Sequence, residues 1–134
     1  MRIFLMAAAG VLIAGAANAA TFYDCKINVS KNHGSLPDRL GIQYDPDAGK
    51  ALVYDPFIEH YFGDPIEAEI ATNNDKRLTV AWDFENIKGK AGRNIPRVRF
   101  RATVLKATNE ATITSTYYFG EGESGFGNCK AKSG

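Results

Sequence analysis

From residue 20 onward, apolar and polar positions alternate with a period of two, and no stretch carries the i, i+3, i+4 stripe of an amphipathic helix. The first predicted strand puts Tyr23, Cys25, Ile27 and Val29 on one face and Asp24, Lys26 and Asn28 on the other. A loop from Ser30 to Asp38 follows. Leu40, Ile42 and Tyr44 then alternate with Gly41 and Gln43, and the run from Asp45 to Gly49 turns the chain into Ala51 to Tyr54, a hairpin pattern. Phe57 to Phe62 is nearly all apolar and is bracketed by Asp55-Pro56 and Asp64-Pro65. Proline cannot donate in a ladder, so this stretch predicts a short strand with two apolar faces.

The clearest pattern lies in the middle of the chain. Ile66, Ala68 and Ile70 alternate with Glu67 and Glu69. Beyond an Asn73-Asn74-Asp75 turn, Leu78, Val80, Trp82 and Phe84 alternate with Thr79, Ala81, Asp83 and Glu85. Val98, Phe100, Ala102 and Val104 alternate with Arg97, Arg99, Arg101 and Thr103, and the turn at Thr108-Asn109-Glu110 leads into Ile113, Ser115, Tyr117 and Phe119. Glycines at 120, 122, 125 and 127 read as a loose passage to a closing strand around Cys129. Successive strands with short turns predict an all-β, antiparallel up-and-down meander of about eight strands, closed as a small barrel or a rolled sandwich that leaves no exposed edge.

The opening residues change the compartment. Arg2, the apolar run Ile3 to Gly15 and the small-x-small triplet Ala17-Asn18-Ala19 predict a signal peptide over residues 1–19, with a single β domain over 20–134. No cysteine follows the cleavage site, which argues against a lipid anchor, and no later apolar run is long enough to span a bilayer. The expected location is periplasmic or secreted. In an oxidising compartment, Cys25 and Cys129 predict one disulfide between the first and last strands.

Charge excludes some partners. Of 16 Lys+Arg and 15 Asp+Glu, Arg2 leaves with the signal, so the mature chain is close to neutral and has no strong field for nucleic acid. Its distribution is uneven: residues 24 to 75 hold four basic and ten acidic groups, residues 76 to 106 nine basic and two acidic. If Phe84 pairs with Val98, then Glu85 faces Arg97, Asp83 faces Arg99, and Ala81 faces Arg101 without a counter-charge. Pairing Val104 with Ile113 in the following strand puts Tyr118 beside Arg99. Arg97, Arg99, Arg101 and Tyr118 are therefore either a solvated ladder of ion pairs with one cation-π contact or a recognition patch for an acidic protein or envelope component.

Other chemistry is sparse. Glu67 and Glu69 sit about 7 Å apart on one side of a strand, but on the outer face, where no cleft raises either pKa as a glycosidase requires. His33 falls in a loop and His60 in an apolar strand, each without a local ligand partner. Asp45 and Asp47 fit turn chemistry better than a calcium loop. The stretch Gly120 to Gly125 matches a dinucleotide fingerprint in letters only, because no helix follows. No catalytic motif, metal site or cofactor is expected, and the chain is expected to be a monomer.

The Phe22-Tyr23-Asp24-Cys25-Lys26 opening and the Gly127-Asn128-Cys129 close resemble a group of small exported bacterial β-proteins of unassigned function. They are also similar to the periplasmic inhibitors of C-type lysozyme, small barrels with an early Tyr-x-Cys and a late Cys. The Ser-Gly-x-x-Tyr inhibitory loop of that family is absent here, so no inhibitory residue is carried across. The leading expectation is a non-catalytic binding or accessory protein of the cell envelope that uses the Arg-rich outer face or an end loop. A carrier of a small apolar ligand inside the barrel and a hydrolase without a recognisable motif are the alternatives.

Overall fold

The computed structural model describes residues 20–29, 36–89, 92–118, 120 and 122–133. The predicted signal peptide, His33 and Phe119 lie outside the described residues. The domain is an antiparallel barrel whose eight strands follow one another around the wall, with the first pairing with the last. In chain order the elements are β1 (Thr21–Asn28), β2 (Arg39–Asp45), β3 (Lys50–Tyr54), α1 (Pro56–Tyr61), β4 (Ile66–Asn73), β5 (Arg77–Lys88), β6 (Asn94–Leu105), β7 (Glu110–Tyr117) and β8 (Gly122–Ser133).

Alternation sets the faces. Tyr23, Cys25, Ile27, Leu40, Ile42, Val53, Leu78, Val80, Val104 and Ile113 are buried inside, while Asp24, Lys26, Glu67, Glu69 and Arg101 point out. Apolar in and charged out is the reverse of a barrel whose wall faces lipid. No helix among the described residues is long and apolar enough to cross a membrane. Aromatic rings pack in the interior: Trp82 stacks on Phe100 at 5.6 Å, and Phe84 lies 5.1 Å from Phe100.

The stretch read as a short strand over Phe57 to Phe62 is instead helix α1. Asp55 is the N-cap, with Oδ1 accepting from the Ile58 N–H at 2.7 Å, and Pro56 occupies the first turn, where its missing N–H costs nothing. Gly63, at φ +85°, ends the helix by donating to the Ile58 and Glu59 carbonyls. Six residues are too few for a helical period to outweigh an apolar run, which is why the pattern misled. The helix lies against the barrel mouth: Ile58 is fully buried, Phe57 meets Phe100 at 6.4 Å, and Tyr61 meets Phe84 at 5.8 Å.

The disulfide joins Cys25 to Cys129, which face one another across the β1–β8 ladder. Of the glycines read as a loose passage, Gly122, Gly125 and Gly127 lie within β8 itself. At Gly127 a Cβ would collide with the Lys26 carbonyl oxygen, so glycine is what allows the closing strand to approach β1. The turns behave as read. Asp45 Oδ1 accepts from the Asp47 N–H at 3.0 Å, and Asn74 Oδ1 accepts from the Lys76 and Arg77 N–H groups at 2.8 and 3.0 Å.

Candidate functional site in the wall of strands β4 to β6

The long β5–β6 hairpin pairs as the alternation predicts: Phe84 with Val98, Trp82 with Phe100, Glu85 with Arg97, Asp83 with Arg99 and Ala81 with Arg101. This places Arg97, Arg99 and Arg101 in one outward row. The ion pairs, however, do not follow the pairing rung by rung. Asp83 serves two arginines, its Oδ2 accepting from Arg99 at 2.9 Å and its Oδ1 from Arg97 Nε at 3.4 Å. Arg99 reaches across β5 to a second carboxylate, Glu69 on β4, at 2.8 Å. The hydrogen bond that Arg99 donates to Glu69 raises the Arg99 pKa above its usual value against the desolvation that lowers it, and Asp83 adds to the rise. Glu85 forms no ion pair among the described residues.

Arg101 is the exception in the row. It is exposed, lies between Ala81 and Thr114, and makes no ion pair among the described residues. The neighbouring strand differs from expectation by two positions: Val104 pairs with Ala111, which brings Thr114 to Arg101 and Thr116 to Arg99. The cause is a tight β6–β7 turn in which Asn109 takes the left-handed region at φ +61° and donates to the Leu105 carbonyl. An even shift keeps every side chain on its expected face. Tyr118, 63% exposed, consequently sits beside Arg97, donating its N–H to the Arg97 carbonyl at 3.2 Å, and not beside Arg99.

The β4–β5 ladder runs only from Glu69↔Ala81 to Asn73↔Leu78. Above it the strands part, and an open depression of about 500 Å³ lies between them. Ala81 and Trp82 line its floor, with Phe62, Glu67 and Glu69 on one side and Asp83, Glu85 and Arg99 on the other. Sequence reasoning placed Glu67 and Glu69 on the outer face but did not bring them to the arginines. The signal was present, because the turn at residues 73–75 already places β4 beside β5.

Among the described residues, two buried side-chain polar atoms lack hydrogen-bond partners: Asp55 Oδ2 and Trp82 Nε1. Burial pushes the Asp55 carboxyl up to about 6, although the Ile58 and Phe57 N–H groups pull the other way. His60, expected in a strand, instead stands exposed on α1 with its ring 4.7 Å from that of Tyr61. Among the described residues, no three metal-ligating side chains come together. Compared with known proteins, the chain matches no family model, no curated protein and no solved structure at a significant level.

Proposed function

We propose that this protein is an exported, non-catalytic binding module of the cell envelope that meets its partner through the outer wall. The observation that carries this reading is the packing of aromatic rings in the interior. Phe57, Trp82, Phe84 and Phe100 pack together where a carrier of apolar ligands needs space, so recognition falls to the surface. On that surface Arg101 is a guanidinium without a counter-ion among the described residues, suited to a carboxylate or phosphate of an acidic partner, whereas Arg97 and Arg99 are already held by Asp83 and Glu69.

The test is to recover a partner from envelope extract with the unmodified protein and titrate it against Arg101→Ala, with Lys50→Ala as a surface control. A charge-assisted contact is worth about 1.5 to 3 kcal/mol, so Arg101→Ala should weaken binding roughly 10-fold to 150-fold without changing stability. Equal affinities for all three proteins would remove Arg101 from the interface.

A further inference from the structure

Where the β4–β5 ladder stops, both strands keep their other neighbours: Ile66–Ala68 remain paired with β3, and β5 continues along β6 to Lys88. The two edges that face the gap therefore carry no strand between them. Such an edge offers main-chain N–H and C=O groups to any extended chain laid along it. Helix α1 covers the far end, where the Tyr61 hydroxyl donates to the Lys88 carbonyl at 2.7 Å and the Tyr61 and Phe62 rings pack on Phe84 at 5.8 and 5.4 Å. Phe62 is left 49% exposed at the mouth. Trp82, 3% exposed, lines the same depression, and its Nε1 is without a partner.

The volume, about 500 Å³, falls within the range of established ligand sites, roughly 300 to 1,000 Å³. Its charge is lopsided. Glu67, Glu69, Asp83 and Glu85 line it; Arg99 and Arg97 hold Asp83, and Arg99 also holds Glu69, which leaves Glu67 and Glu85 with no ion pair among the described residues.

We propose that this gap docks an extended segment of a partner protein with basic residues at alternate positions, added as a strand along the β5 edge. The β5 edge is the longer of the two, extended from Trp82 to Glu85 before Asn86 enters the left-handed region at φ +54°. In an added strand, alternate side chains project outward on the side of Glu85 and Glu67, the two carboxylates without a described ion pair, which favours positive charge there. The intervening side chains project toward Phe62 and the barrel mouth, which suits apolar residues. The inference goes beyond the acidic partner assigned to Arg101 and does not depend on it.

Trp82 is the only tryptophan in the chain, so its emission reports on the site. The probe is an acetylated peptide of alternating lysine and valine, titrated into the full exported protein. It is compared with a version carrying glutamate for lysine and with one N-methylated on the backbone amides of one edge. The lysine peptide should shift the Trp82 emission and slow amide hydrogen exchange along Trp82–Glu85. The glutamate and N-methylated peptides should bind about tenfold more weakly or worse, as should the lysine peptide to a Glu67→Gln, Glu85→Gln double variant, while Lys50→Ala, at the β2–β3 turn, leaves its binding unchanged. The proposal is overturned if the lysine peptide does not bind or if the N-methylated peptide binds as well as its parent, since that is charge attraction alone. Protection that appears away from β5 overturns it as well. Loss of binding in Lys50→Ala would move the contact away from the gap and overturn it too.

Discussion

Replacing Asp55 with asparagine should make the protein more stable at neutral pH and remove much of its response to mild acid. The Asp55 carboxyl is 3% exposed; one oxygen caps α1 and the other has no partner. Its pKa is raised from 3.8 to about 6 in the folded protein, so the folded state holds the proton more tightly than the unfolded chain. Stability is therefore greatest below the unfolded pKa and declines as pH rises through the interval from about 4 to 6. A difference of roughly two pKa units corresponds to about 3 kcal/mol of destabilisation at pH 7 relative to the protonated state. Asparagine keeps a cap acceptor for the Ile58 N–H and carries no charge, but it buries an amide N–H in place of the unpartnered oxygen. That offsets about 1 kcal/mol of the gain. The expected net gain at pH 7 is about 1 to 2 kcal/mol, falling to zero or below near pH 4. Denaturant unfolding of the oxidised protein and of Asp55→Asn, each measured from pH 4 to pH 7.5, gives the difference directly. Identical pH dependences for the two proteins would refute the reasoning, as would a wild-type advantage that grows with pH.

Gly127→Ala should lower the unfolding free energy by about 2 to 4 kcal/mol, because the added methyl group meets backbone at the β1–β8 seam and not a side chain that can swing away. Denaturant midpoints check it, and a loss under about 0.5 kcal/mol would mean that the seam yields easily. Replacing both Cys25 and Cys129 with serine opens a bridge spanning 104 residues and should cost about 4 to 5 kcal/mol on the chain-entropy account. The same unfolding assay applies, and intact-mass analysis after alkylation without reductant should find no free thiol in the parent protein.

What the sequence made legible was whatever depended on a period of two. In β5 and β6 alternation runs through ten or more residues with large rings on one face and charges on the other, so any odd slip would have exposed Trp82 and buried Asp83. An even slip has no such penalty. The β6–β7 register was therefore decided by the conformation of Asn109, which pattern alone does not reveal, and Tyr118 moved from Arg99 to Arg97. Helix α1 is short enough that its cap residues, Asp55 and Pro56, carried the information its apolar positions did not. In the candidate site, the arginine row was readable because it belongs to one strand. The contact from Arg99 to Glu69 was not, because it crosses an intervening strand and depends on the point at which β4 and β5 separate.

The position of the disulfide also fixes how the domain responds to mechanical load. A pull on the two chain ends is transmitted through Cys25 and Cys129, which lie opposite one another near the middle of the β1–β8 ladder. Only the few residues before Cys25 and after Cys129 can be peeled away; the segment between them, with all of β2 to β7, stays out of the force path. Under tension the oxidised barrel acts as a short covalent link between whatever is attached to its ends, and the wall of β4 to β6 keeps its shape while the termini are stretched. Reduction turns the same molecule into a zipper, in which separating β1 from β8 rung by rung opens the barrel from its seam.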